Sequence, residues 1–197
     1  MDHLVLATPT LAETVDTVAR ALGLVPVAGG RHSGLGTRNF LLGLGDGGYL
    51  EIIGADADQP EPERPRPFGI DELAEPRLVT WAVQVHDIDA AVAAAGLDPD
   101  GVRDMSRTAP DGTVLRWRLT NINPERVVPF LIDWGATVHP STGLPRAELR
   151  SLTATHPDPA AISARLQALS VDLPVQYGAT AALLAVIVGP AGAITLV

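Results

Sequence analysis

The 197-residue sequence predicts an α+β protein built from repeated β-α-β-β-β modules. Residues 1–54 contain a strand, an amphipathic helix and three further strand-like segments in that order, and the order recurs twice downstream. Repeats of roughly fifty residues indicate units that bury their apolar faces against one another. We therefore predict modules at 1–54, 78–141 and 142–197, with 55–77 as a linker.

The first module carries the clearest local signals. "HLVLATP" has strand character, and the helix in "TLAETVDTVARALG" has Thr10 at its N-cap and Gly23 at its end. "LVPVAGG" predicts a second strand. "TRNFLLGLGDGGYLEIIG" predicts a hairpin that turns at Asp46-Gly47, because an Asp-Gly pair favours the positive φ angles of a tight turn.

The later modules follow the same plan. A strand and an Ala-rich helix are predicted in "TWAVQVHDIDAAVAAAG", and later strands in "TAPDGTVLRWRLT" and "ERVVPFLIDWG". The third module runs from "LRSLTATHPDPAAISARLQALS" through "LPVQYG" to a closing hairpin. The linker at 55–77 is acidic and rich in proline, so we expect a surface segment that holds no site residue.

Composition narrows the class of function. The net charge is −9, the 14 basic residues are all arginines and no Arg cluster occurs, so we expect no nucleic-acid or membrane partner. No apolar run approaches the ~20 residues of a membrane span. The chain has no cysteine, which suits a reducing cytoplasm. The arginine and alanine bias is typical of a GC-rich bacterial genome.

The repeated module, with a His on its opening strand and a Glu on its closing strand, resembles the glyoxalase-like domain family of the vicinal oxygen chelate superfamily. Residues 1–54 and 110–141 carry the similarity best, including "PFLIDWG" followed by "HPS", which contains His139. The resemblance implies a cupped mixed sheet formed by two modules, and we expect the third to pack on it at the C-terminus. It also implies a divalent metal (Zn, Mn, Fe or Ni) and lyase, isomerase or dioxygenase chemistry.

By this resemblance, His3 and Glu51 are the metal-ligand positions of the first module, and Glu51 is also the candidate catalytic residue. The corresponding positions hold Thr80 and Ile132 in the second module, and Ser151 and Thr195 in the third. Asp133 should point away from the cup unless a bulge rotates its strand. The sequence therefore predicts half of the ligand set, and the alternative for His3 and Glu51 is a hydrogen-bonded polar pair.

Four side chains are candidates for substrate contact. His32 lies in the Gly-rich "GGRHSGLGT", where it would be a third metal ligand or a substrate contact if the loop covers the cup, and solvated if not. Asn39 would orient a substrate carbonyl, or lie at a strand edge in solvent. Gln84 shares a strand face with Thr80, so it contacts substrate only if that face is inward. Trp117 is either an aromatic wall of the cup or part of the core.

Three functions remain open from the sequence. The first is a metal-assisted enzyme that uses His3 and Glu51. The second is a metal-free protein that binds or sequesters a small oxygenated metabolite in a cup lined by Asn39, Gln84 and Trp117. The third is an assembly module with a filled cup, whose sheet edges pair between copies, for example in a homodimer. The interpretation we prefer is a glyoxalase-like protein that binds a small oxygenated metabolite.

Overall fold

The computed structural model describes residues 1–45 and 47–197, and it confirms the predicted fold class. Three β-α-β-β-β units follow one another, and their strands form a mixed sheet that curls into a cup. Asp46, where the first hairpin is predicted to turn, lies outside the described residues. None of the described helices has the length and apolar character of a membrane span.

The elements have the following bounds. The first unit contains β1 His3–Thr8, α1 Leu11–Leu22, β2 Val27–His32, β3 Thr37–Leu44 and β4 Gly48–Ala55. The second contains β5 Arg77–Gln84, α2 Ile88–Ala95, β6 Arg103–Thr108, β7 Val114–Leu119 and β8 Phe130–Asp133. The third contains β9 Arg146–His156, α3 Pro159–Ala168, β10 Val175–Tyr177, β11 Ala182–Gly189 and β12 Gly192–Leu196. Short 3-10 turns occupy Pro67–Glu72 and Pro99–Gly101.

Eight strands of the first two units close into a ring. Its order is β3-β2-β6-β7-β8-β5-β1-β4, and β4 pairs back onto β3. The two units join where β1 runs antiparallel to β5 and where β2 meets β6. The third unit lies outside the ring as a four-stranded extension, because β9 pairs with the end of β3. An eight-stranded ring has an interior just wide enough for side chains or one small ligand.

Alternation along the strands divides the apolar side chains into two cores. On β1, Leu4 and Leu6 belong to the core outside the ring, whereas Val5 and Ala7 belong to the core inside it. Helix α1 buries its apolar face in the outer core and contacts β4, β11 and β12, so it joins the ring to the third unit. It begins after Thr10, whose side chain makes no capping bond, and ends at Gly23 in the left-handed conformation.

Three predictions about local structure were wrong or incomplete. The second strand begins at Val27 and extends to His32, so His32 lies on a strand and not in a loop. Strand β6 was missed, because "RDMSRT" carries polar residues at alternate, exposed positions. The linker was expected to hold no site residue, yet its Pro67 and Phe68 line the cavity inside the ring.

Gly30 allows β2 to approach β6 at the point where the ring closes. Its φ is +147°, and an added Cβ would lie 2.4 Å from the carbonyl oxygen of Thr108. Real Cβ atoms do not approach backbone atoms this closely, and side chains rarely adopt this φ. The only direct pairing between β2 and β6 in the described chain, Arg31 with Thr108, is adjacent to this contact.

We predict that Gly30→Ala lowers the free energy of unfolding by about 2 kcal/mol or more, because the added methyl group separates β2 from β6. Urea denaturation followed by circular dichroism measures this loss. Gly45→Ala is the matched control, since Gly45 is exposed and an added Cβ there would meet no atom within 4 Å. Equal losses in the two variants would show that ring closure does not depend on Gly30.

Candidate functional site

The interior of the ring is not filled by side chains. A cavity of about 120 Å³ lies between strands of both units. Polar groups reach it mainly from the first unit: His3, His32, Thr37, Asn39, Tyr49 and Glu51. The second unit supplies most of the apolar wall: Met105, Trp117, Leu119, Ile122, Phe130, Ile132 and Trp134. An apolar cavity with a few convergent polar groups is typical of a small-molecule site.

Glu51 is the central polar group of the cavity. The parallel pairing of β1 with β4 brings its carboxylate to the same inner face as His3, and its side chain is only 10% exposed. The amide of Asn39 donates to Oε1 at 2.5 Å. The Nε2 atoms of His3 and His32 lie 3.7 Å and 3.9 Å from the two carboxylate oxygens. One carboxylate therefore faces two imidazoles, too far away for direct hydrogen bonds but close enough for a small group to bridge them.

Asp2 holds the His3 ring in place. His3 Nδ1 lies 2.5 Å from Asp2 Oδ1, while His139 Nε2 and Trp134 Nε1 each lie 2.9 Å from Oδ2. Burial raises the pKa of Asp2, but the hydrogen bonds from His139 and His3 outweigh burial and hold this pKa well below its ordinary value. The carboxylate is therefore ionised and accepts from Nδ1, which leaves Nε2 of His3 directed at Glu51. His139, which had no assigned role in the sequence, contributes to this network.

Tyr49 forms the other support of the His3 ring. The two rings stack with their centroids 4.7 Å apart. Burial raises the pKa of Tyr49 well above its ordinary value, and the negative charges of Asp2 and Glu51 raise it further. The phenol is therefore protonated and packs as a neutral aromatic group.

His32 faces Glu51 from the opposite side of the carboxylate. Its Nδ1 lies 3.0 Å from the hydroxyl of Thr37, which fixes the ring. Burial lowers the pKa of His32, and the nearby Arg107 guanidinium lowers it too, although the charge of Glu51 acts in the opposite direction. The ring therefore prefers the neutral form, in which it can accept a proton.

The remaining predicted residues fall into two groups. Asn39 and Trp117 line the cavity, as does Trp134. Gln84 does not: it lies exposed at the end of β5, beyond the cavity, so the inward alternative for this residue is wrong. Asp133 points outward, where its carboxylate accepts from the backbone N–H groups of Ile88 and Gly135.

Sequence reasoning missed two charged residues of the site. Asp2 gives no signal in the sequence, because its role depends on His139 and Trp134 at the far end of the second unit. Arg107 lies on the strand that was not predicted. A basic residue flanked by exposed polar ones is usually solvated, and only the ring shows that Arg107 points inward.

The donor set does not match the divalent ion that the family resemblance implies. His3, His32 and Glu51 all come from the first unit, while the corresponding positions of the second unit hold Thr80 and Ile132, which supply no imidazole or carboxylate. The cavity also contains the guanidinium of Arg107. Across residues 1–45 and 47–197, no group of three or more His, Asp or Glu side chains has the geometry to hold a metal ion.

An eight-stranded cup built from two β-α-β-β-β units, with His and Glu on the first and last strands of one unit, is the architecture of the vicinal oxygen chelate class. The family model of the glyoxalase-like domain matches residues 1–170. The chain belongs to the glyoxalase-like domain family, which confirms the resemblance found in the sequence.

Three solved structures show similar folds. Methylmalonyl-CoA epimerase from Mycobacterium tuberculosis is 20% identical, and the match covers 67% of this chain and 85% of that chain with a TM-score of 0.45. A Streptomyces coelicolor methylmalonyl-CoA epimerase in complex with 2-nitronate-propionyl-CoA is also 20% identical. The match covers 70% of this chain and 97% of that chain, with a TM-score of 0.44. A hypothetical protein from Bacillus halodurans is 13% identical, and the match covers 70% of this chain and 96% of that chain with a TM-score of 0.47. No curated protein matches the chain. Similarity at this level transfers no ligand or activity.

We predict that Asp2→Asn lowers the free energy of unfolding by about 3 kcal/mol at neutral pH, because the amide offers one acceptor oxygen where the carboxylate offers two and removes a paired buried charge. Urea denaturation measures the loss. The pKa of Asp2 is lower in the folded chain than its ordinary 3.8, so the contribution is present above that pH and is lost on further acidification. Asp16→Asn, on the exposed face of α1, is the control with little effect. A similar loss in both variants would contradict the role of Asp2.

A second prediction concerns the pH dependence of stability. The pKa of His32 is depressed in the folded chain below its ordinary 6.5, so the unfolded chain takes up this proton first as pH falls. Between about pH 7.5 and pH 5, wild type should therefore lose more stability than His32→Gln. Denaturant titrations at each pH give the free energy of unfolding, and its slope against pH is compared between wild type and His32→Gln. His86→Gln, at an exposed position, is the control and should lose as much stability as wild type over this pH range. If the free energy of unfolding has the same pH dependence in wild type and His32→Gln, the prediction is wrong.

Proposed function

We propose that this protein binds a small oxygenated metabolite in the ring cavity and that Glu51 exchanges a proton with it. The observation that carries the proposal is the position of the Glu51 carboxylate. It is buried in an apolar cavity, fixed by Asn39 and flanked by two imidazoles.

The walls of the cavity favour a ligand with an apolar body. Phe68, Trp117, Phe130 and Trp134 all line it. Phe68 has a φ of 64°, which is strained for a residue with a side chain and is typical of positions held for a function. A ligand in this space displaces water and packs its apolar body against these aromatic rings. Its oxygen atoms then face the polar side chains of the first unit.

The polar side supports proton transfer. Glu51 can accept a proton from a carbon or hydroxyl next to a carbonyl, since its Oε2 makes no described hydrogen bond. The Nε2 atom of His3 lies 3.7 Å from Oε2, and Asp2 keeps it there. His3 can therefore hold or return a proton on the same side of the ligand. Such transfer corresponds to the isomerase or lyase chemistry expected from the family resemblance.

Ligand binding in the cavity can be tested with a variant that fills it. Met105→Trp, on the cavity wall, should abolish the thermal stabilisation that a cavity ligand gives to wild type. A panel of small oxo and hydroxy compounds screened by thermal shift provides the ligand. Val114→Trp, at an exposed position of the neighbouring strand, should preserve the shift. Equal shifts in both variants would place binding outside the cavity.

Proton transfer is tested separately on the compounds that bind. In D₂O, wild type should incorporate deuterium at the carbon next to the carbonyl of the ligand, as followed by NMR, and Glu51→Gln should lower the rate at least about 100-fold while still binding. Binding without exchange in wild type would favour the sequestering alternative. If a stoichiometric divalent ion copurifies and a chelator abolishes exchange, the metal-free proposal is wrong and the metal-assisted one is correct.

A further inference from the structure

Arg107 is a buried cation for which the described residues supply no partner. Its side chain points into the ring from β6, and the residue is only 6% exposed. Within residues 1–45 and 47–197, its guanidinium makes no hydrogen bond, and no carboxylate oxygen lies within the 4.0 Å of an ion pair. Its Nη1 is inaccessible to solvent and has no acceptor.

The backbone around Arg107 is arranged to accommodate this side chain. A Cβ on Gly30 would lie 3.0 Å from Nη1, so the absence of a side chain there leaves the guanidinium its space. Burial lowers the pKa of Arg107, although the negative charge of the Glu51 carboxylate acts in the opposite direction. A buried charged group without hydrogen bonds destabilises the folded state. Such a group is retained where a bound ligand supplies the missing hydrogen-bond acceptors.

We propose that Arg107 recognises a carboxylate group on the ligand, so that the substrates of this cavity are small carboxylic acids with an apolar body. The inference rests on the proposed function and adds the charge and chemical class of the ligand. Arg107 belongs to the second unit and Glu51 to the first, so a ligand that contacts both is held at two points.

The cavity favours a carboxylate over a phosphate group. One guanidinium binds one carboxylate through two parallel N–H···O bonds, which satisfies the planar donor set. A dianionic phosphate would need further cationic donors, and Arg107 is the only Arg among the cavity-lining residues that the structure describes. The charge of Glu51 in the same cavity opposes a second negative charge.

The first experiment measures ligand-free stability. Arg107→Met replaces an unpaired buried charge by an apolar side chain of similar length, so it should raise Tm by about 3 °C or more. Arg103→Met is the control, because Arg103 is exposed on the same strand and bonds only to backbone carbonyls. If Arg107 were instead a structural counterion of Glu51, Arg107→Met would lower Tm, and the proposal would fail.

The second experiment measures recognition with phenylacetate, phenylacetamide and phenyl phosphate at constant ionic strength. Isothermal titration should show phenylacetate binding wild type at least about 10-fold more tightly than the amide or the phosphate ester. Arg107→Met should remove this preference, Arg107→Lys should keep part of it, and Arg103→Met all of it. Tighter binding of the phosphate ester, or a preference for phenylacetate that survives in Arg107→Met, would overturn the proposal. If wild type binds neutral oxygenated compounds in the cavity but no carboxylate, this inference fails while the proposed function stands.

Discussion

Closure of the strand ring is the constraint on which the rest of the molecule depends. Once β4 pairs with both β1 and β3, and β2 meets β6, every second side chain of eight strands must point at one common interior. His3 and Glu51 are far apart in sequence, yet the parallel pairing of their strands places them on the same inner face. The site is thus a consequence of register, and Gly30 matters because it permits the narrowest junction of the ring.

The charged groups inside the ring differ in how many hydrogen bonds they make. The carboxylate of Asp2 receives three hydrogen bonds from two imidazoles and an indole, so it is a fixed structural charge. Glu51 receives one short bond from Asn39 and keeps its second oxygen available. Nη1 of Arg107 donates none within the described part of the chain. Hydrogen bonding therefore decreases from Asp2, through Glu51, to Nη1 of Arg107.

The sequence predicted the parts of the site that depend on local pattern. Module order and strand periodicity led to the family resemblance, and that resemblance implied the positions of His3 and Glu51, which lie on inner faces. The helix end at Gly23 was also correct. The contribution of Asp2 could not be predicted, because its partner His139 is 137 positions away and enters through a loop. Arg107 was missed because its strand is polar on the outside and has no apolar alternation. The prediction that Gln84 contacts substrate was wrong for a different reason. The alternation of faces along β5 was correct, but Gln84 lies at the end of the strand, beyond the cavity.

The two halves of the cavity come from separate units, and this separation has a consequence for how the protein can change. The first unit supplies the Glu51 carboxylate and the imidazoles of His3 and His32, whereas the second supplies most of the wall, including Met105 and Trp117. Met105 and Trp117 make none of the described hydrogen bonds to Asp2, His3 or Glu51, so substitutions at these two wall positions alter the shape of the cavity without disturbing that network. The shape of the cavity wall and the cluster of Glu51 with its two imidazoles are therefore encoded in different stretches of the chain, so either one can diverge, by evolution or by engineering, while the other is retained.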